Sequence, residues 1–135
     1  MARRILVIGI GTFGTALVES LHRSGNEALV IDENAHALEA VKDLCAHAVV
    51  ADATDLRVLE AVEAATCDCA VVTFATDFEA SVLTVASLKK LGVREIAARA
   101  TSQRQTEVLL AVGATRVIQL EMEGGRRLAE ELTRT

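Results

Sequence analysis

The sequence predicts an α/β fold, a Rossmann-like, doubly wound sheet of six parallel strands in a single domain. Three observations point there. Short runs rich in Val, Ile, Leu and Ala alternate along the chain with segments of helical period. The pattern Gly9-Ile10-Gly11-Thr12-Phe13-Gly14 follows the first run directly and opens the first helical segment. Asp32 ends the second run about twenty residues past that turn, where such folds place a ribose-binding acid.

The first apolar run, Ile5-Leu6-Val7-Ile8, is preceded by Arg3 and Arg4, but it is short and no small-residue cleavage site follows. It reads as a strand rather than a signal peptide. Further strands are expected near residues 27–31, 47–51, 69–74, 94–98 and 116–119. Helices fill the gaps, near 12–24, 34–45, 55–64, 77–91, 103–112 and 122–133. Leu38, Val41, Leu44 and Cys45 show the apolar stripe of the second helix. Steady strand-helix alternation requires right-handed crossovers, and the usual solution is the strand order 3-2-1-4-5-6.

Thr76-Asp77-Phe78-Glu79 and Ser102-Gln103-Arg104-Gln105 both fit a capping box, with the hydroxyl residue as cap. Gly25, Gly92 and Gly113 stand where three helices should stop. In the helix expected over 77–91, Ala80, Val82, Leu83, Val85, Ala86 and Leu88 spread apolar character around most of the circumference. Such a helix buries more than one face, and the second face suggests a subunit contact.

Composition narrows the class. With 135 residues the chain suits one domain, whose core must be aliphatic because there are only three Phe and neither Trp nor Tyr. A net charge of −5, with no Lys/Arg cluster longer than a pair, excludes a nucleic-acid footprint. No apolar stretch approaches the roughly 18 to 20 residues of a bilayer span, so a membrane role would come through a partner. Cys45, Cys67 and Cys69 are odd in number and lack CxxC spacing, and they read as buried structural thiols.

The glycine pattern has a physical logic. Gly9 permits the tight turn, Gly11 lets a pyrophosphate approach the backbone, and Gly14 lets the helix pack close to its strand. The helix N-terminus, from Thr12 and Phe13 onward, then offers free amides and a partial positive charge. Asp32 can accept hydrogen bonds from ribose hydroxyls and disfavours a 2′-phosphate, although an acid there also suits the start of the next helix. Asp52, Ala53 and Thr54 follow the third strand at the ligand-binding edge of the sheet. They are candidate contacts near the adenosine, while Thr54 equally fits a helix cap with Asp55 as a first-turn acid.

Gly9-Ile10-Gly11-Thr12-Phe13-Gly14, Val30-Ile31-Asp32, Ala51-Asp52-Ala53-Thr54, Ala98-Arg99-Ala100 and Val112-Gly113-Ala114-Thr115-Arg116-Val117-Ile118 together resemble the RCK N-terminal (KTN, TrkA-N) domain of potassium-transport regulators. The similarity spans nearly the whole chain and is nearest to the cytosolic gating subunits of Ktr- and Trk-type uptake systems. It implies a regulatory, non-enzymatic domain that binds ADP or ATP, or NAD(H). The implied partners are a membrane-embedded potassium transporter subunit and further copies of the chain, as a homodimer assembling to an octameric ring. The implied location is the cytoplasm, at the inner face of the membrane.

By the same resemblance the glycine turn holds phosphates, Asp32 the ribose, the segment Asp52-Ala53-Thr54 the nucleoside, and Arg99 adds a phosphate-side cation. Glu121 would help hold a divalent cation, Mg or Ca, at the dimer interface. Two departures are visible: Thr12 stands where many members carry Arg, and Leu120 where Pro often precedes the acid. The smaller C-terminal lobe of many members is expected to be absent.

The competing function is an NAD-dependent oxidoreductase domain, since the same fingerprint carries nicotinamide cofactors in enzymes. Against it, the chain has no Tyr, and His22, His36 and His47 fall on the first helix, the second helix and the start of the third strand. A transcriptional redox sensor would need a helix-turn-helix, which the sequence lacks.

Overall fold

The structure, a computed structural model, describes residues 2–134. Six strands form one parallel sheet: β1 (Arg4–Ile8), β2 (Glu27–Asp32), β3 (His47–Val50), β4 (Cys69–Val72), β5 (Ile96–Arg99) and β6 (Arg116–Ile118). Their order is β3-β2-β1-β4-β5-β6, as the alternation predicts. β1 is central, pairing Ile8 with Ile31 of β2 on one side and with Val72 of β4 on the other.

Because both faces of a parallel sheet are covered, β1 and β4 read as continuous apolar runs rather than alternating ones. Leu6, Ile8, Ile31, Val72 and Ile96 face one core, closed by Leu59, Val85, Leu88 and Leu109. Ile5, Val7, Val30 and Val71 face the other, closed by Val18, Leu38 and Val41. The first core is covered by α3 (Leu56–Ala61), α4 (Phe78–Lys90) and α5 (Gln103–Val112). The second is covered by α1 (Thr12–Arg23) and α2 (Ala35–Glu39). Burying an aliphatic side chain of this size contributes about 1.5–3 kcal/mol, and these two layers are mainly aliphatic, with Phe13, Phe74 and Phe78 packed at their margins.

Several local expectations are corrected. α2 ends at Glu39 rather than near 45, and the chain continues in tight turns, with Val41 N bonded to Leu38 O and Leu44 N to Val41 O. The apolar stripe Leu38, Val41, Leu44 has a strict three-residue step, which suits three residues per turn better than 3.6. α3 stops at Ala61, and a separate 3₁₀ turn, Ala64–Thr66, follows Glu63, whose φ is +57°. The cap of α4 is Asp77, not Thr76, and that of α3 is Asp55, not Thr54. In both, the carboxylate wins because it is the stronger acceptor and complements the helix dipole. Ser102 caps α5 as expected, but Gln105 reaches back to Thr101 N, one residue before the cap.

Gly25, Gly92 and Gly113 close three helices as their spacing predicts. α4 buries Ala80, Ser81, Thr84, Val85 and Leu88 within the chain and leaves Leu83 48% exposed. The last helix, α6 (Leu120–Thr133), buries no residue at all, and Leu128 and Leu132 lie open on it. No helix among the described residues is long and apolar enough to cross a membrane.

Candidate nucleotide site

Three adjoining clefts run along the carboxyl edge of the sheet, where parallel strands end and helices begin. The first, of about 380 Å³, lies over β1, β2 and β3 and is lined by Asp32, Glu33, Asp52, Ala53, Thr54 and Asp77 among others. The second, of about 360 Å³, contains the whole glycine turn, Gly9 to Gly14, with Asp32, Thr73 and Arg99. The third, of about 200 Å³, is walled by Phe74, Phe78, Ser81, Thr101 and Gln105, with Arg99 again at its border. Asp32 is shared by the first two clefts, and Phe74 lines all three.

The turn between β1 and α1 explains its glycines one by one. Gly9 has φ +90°, and a Cβ there would stand 2.8 Å from Thr73 Oγ1. A Cβ on Gly14 would come within 2.6 Å of Gly9 O, so α1 can approach β1 only with hydrogen at that position. Gly11 is different. Its φ of −142° suits any residue, and a Cβ there would meet nothing within 4 Å. The fold itself does not require that glycine.

α1 begins without a side-chain cap and without an acid in its first turn. Gly9 N is bonded to Ile31 O and Ile10 N to Asp32, and from Gly11 onward the first amide with a backbone acceptor is Thr15 N, on Gly11 O at 2.9 Å. The amides from Gly11 to Gly14 are the orphan donors of the helix start, and these residues line the second cleft with their partial positive charge.

Asp32 closes β2 with both carboxylate oxygens engaged. Oδ2 accepts from Ile10 N at 2.7 Å and Oδ1 from Asn34 N at 2.7 Å. It therefore ties the glycine turn to the next loop, while each oxygen keeps a further lone pair for a hydroxyl donor. Capping of α2 falls to Asn34, so Asp32 is not the cap. Asp52 Oδ1 accepts from Thr54 N at 2.9 Å and from Thr54 Oγ1 at 2.6 Å, a local turn that holds the loop against the first cleft.

Arg99, at the end of β5, is mostly buried, with 20% of its side chain exposed. Its Nη2 donates to Glu121 Oε1 at 2.8 Å, while its Nε is buried without a partner. The guanidinium holds the Glu121 carboxyl below the usual carboxylate range, chiefly through that hydrogen bond. Glu121 lies in the first turn of α6, outside all three clefts. Among the described residues no group of three or more His, Cys, Asp or Glu side chains gathers as a metal site would.

The structure thus places Gly9, Gly11, Thr12, Phe13, Gly14 and Arg99 in one cleft, Asp52, Ala53 and Thr54 in its neighbour, and Asp32 between them. Sequence reasoning missed Thr73, Phe74, Asp77 and Phe78. A signal was available for two of them: the chain has only three Phe, and Phe13, Phe74 and Phe78 all line these clefts. The exposed His22, His36 and His47 line none of the three.

Among curated relatives, the chain is 32% identical over 131 residues to Ktr system potassium uptake protein A of Bacillus subtilis (strain 168), covering 97% of this chain and 59% of the relative. The chain thus spans about three fifths of the length of that relative. In fold it resembles the TrkA-N domain of the inner membrane protein ybaL from Escherichia coli, with a TM-score of 0.86, 24% identity and 98% coverage of both chains. It also resembles GsuK in its ADP-bound crystal structure, with a TM-score of 0.83, 21% identity, and 98% of this chain and 35% of that one covered. The GsuK channel bound to NAD gives a TM-score of 0.82 at 21% identity, covering 95% of this chain and 23% of that one. The model of the TrkA-N domain matches residues 5–120, which takes in all six strands apart from Arg4 at the start of β1, all three clefts and the glycine turn, and the chain belongs to that family.

Proposed function

We propose that this chain is the nucleotide-binding regulatory domain of a potassium uptake system, with ADP or ATP, or NAD(H), lying along the first two clefts. The observation that carries the reading is Gly11. Gly9 and Gly14 are demanded by the fold, whereas Gly11 is demanded only by something that must approach the backbone from the cleft. A pyrophosphate has that need and meets the orphan amides of α1. Asp32 then suits the ribose, the loop Asp52-Ala53-Thr54 the nucleoside, and Arg99, which borders the second cleft, the phosphates.

The similarity to a Ktr potassium uptake protein supports a membrane-embedded transporter as partner and a cytoplasmic place at the inner face of the membrane. The unpacked helix α6, with Leu128 and Leu132 exposed, supports assembly into homodimers and a larger octameric ring. Two arrangements of the copies that differ in nucleotide affinity would then couple occupancy to transport. A divalent cation at Glu121 does not fit this chain by itself, since that carboxylate is paired with Arg99 and no further ligands gather there among the described residues. The similarity to a Ktr potassium uptake protein also supports a regulatory rather than an enzymatic role.

Thermal-shift titration with ATP, ADP, AMP, NAD and NADH, with and without Mg²⁺, tests the reading. A ligand at 100 times its Kd adds about 2.7 kcal/mol to stability and raises Tm measurably. Flat curves with all five would contradict it.

A further inference from the structure

The peptide unit joining Gly9 to Ile10 is gripped at both polar ends by side chains from the two strands that flank β1. Its N–H donates to Asp32 Oδ2, at the end of β2, at 2.7 Å. Its carbonyl accepts from Thr73 Oγ1, the first residue past β4, at 2.6 Å. Thr73 is 6% exposed, and its hydroxyl also lies 3.0 Å from Ile8 O. A hydroxyl has one hydrogen to give, and the shorter contact takes it.

The same carbonyl lies close against α1, since it is the atom that a Cβ on Gly14 would strike at 2.6 Å. Two side chains, a carboxylate and a hydroxyl, therefore hold one peptide plane, with the start of α1 packed close beside it. That plane sets where the chain leaves β1 and so where the amides that follow it point. Were the plane to rotate, the carbonyl dipole would leave Thr73 and turn its negative end elsewhere in a turn that must receive phosphates.

We propose that Thr73 is a positioning residue for phosphate binding, the partner of Asp32 at the opposite end of the Gly9–Ile10 peptide. This rests on the nucleotide reading of the glycine turn and adds to it a residue that makes no contact of its own with the base or ribose. Thr73 lines the glycine cleft but not the cleft over β1 to β3. Its loss therefore falls on the phosphate half of the ligand and spares the adenosine half. A merely structural role would lower stability and weaken both halves alike.

The test compares ADP with adenosine, each titrated by NMR into the wild-type chain, Thr73→Val and Thr73→Ser. Valine keeps the volume and removes the hydroxyl, and serine restores it. The expected result is a loss of about tenfold in ADP affinity for Thr73→Val, the weight of one well-made hydrogen bond, with adenosine affinity changed less than about twofold. Thr73→Ser should return ADP to within about threefold of wild type. Equal losses for ADP and adenosine, or unchanged ADP affinity in Thr73→Val, would overturn the proposal while leaving the nucleotide reading intact. A wild-type chain that binds neither compound would overturn both. Should the valine variant not fold, Thr73→Ala against Thr73→Ser reads the same ADP-to-adenosine ratio.

Discussion

Arg99 Nη2 and Glu121 Oε1 meet at 2.8 Å, joining the border of the glycine cleft to the first turn of a helix that has no other anchor of this kind among the described residues. The same guanidinium keeps its Nε buried and unpartnered. A bound phosphate and Glu121 would therefore compete for one cation. Glu121→Gln should bind ADP a few-fold more tightly, with little change in Tm, because the Glu121 side of the pair is exposed and glutamine keeps an acceptor oxygen for the guanidinium. Arg99→Ala should weaken ADP binding. Calorimetric titration of the two variants checks both directions.

The same pair has a pH signature. The Glu121 carboxyl is held below its ordinary value by Arg99, so the pair's contribution is present at and above the ordinary carboxylate range and is lost as pH falls through the depressed folded value. The Glu121 side-chain carboxyl should titrate below the ordinary glutamate value by NMR, and that depression should vanish in Arg99→Ala.

Gly11 and Gly14 should respond oppositely to alanine. Gly11→Ala puts a Cβ into open space at an extended φ, so it should leave stability unchanged or raise it by about 0.4–1 kcal/mol while reducing ADP affinity at least tenfold. Gly14→Ala drives a Cβ to 2.6 Å from Gly9 O and should destabilise the fold by about 1–3 kcal/mol. Thermal denaturation and ADP titration separate the two effects.

Asp32→Ala should weaken ribose-dependent binding by about 1 to 3 kcal/mol, and it should also lower Tm. The second effect follows from the two amides, Ile10 N and Asn34 N, that lose their acceptor. An affinity unchanged alongside a lowered Tm would make the carboxylate a brace for the turn alone.

Burial pushes the Cys69 thiol up to about 11, with the nearby Glu95 carboxylate acting in the same direction. A thiol whose folded value is raised leaves stability intact below the unfolded value and erodes it as pH rises through the folded one. The window here runs from about 9 to about 11. Cys69 should therefore resist alkylation at pH 8 until the chain unfolds, whereas the half-buried Cys45 should react first. Mass spectrometry of alkylated peptides checks the order.

Much of this architecture was legible in the sequence, because a sheet covered on both faces leaves unbroken runs such as Ile5-Leu6-Val7-Ile8, and each run is followed by a helical period. The glycine turn and Asp32 were legible for a related reason: their spacing is set by the length of one strand-helix-strand unit. What escaped depended on contacts between distant residues. Thr73 reads as an ordinary strand former, and only the pairing of β1 with β4 brings its hydroxyl to Gly9 O. Asp55 and Asp77 took the caps from Thr54 and Thr76 because a one-residue shift in helix start is invisible to pattern alone. Asp32 looked like either a ribose acid or a helix lead-in, and it proves to hold the turn itself.

The central claim is that a nucleotide's phosphates lie on the turn from Gly9 to Gly14. The most direct measurement is the change in backbone amide chemical shifts on adding ADP. The account expects the largest saturable changes at Gly11, Thr12, Phe13 and Gly14, with smaller ones at Asp32 and Thr54. Saturable changes confined to other parts of the chain, or none at millimolar ADP, would contradict it.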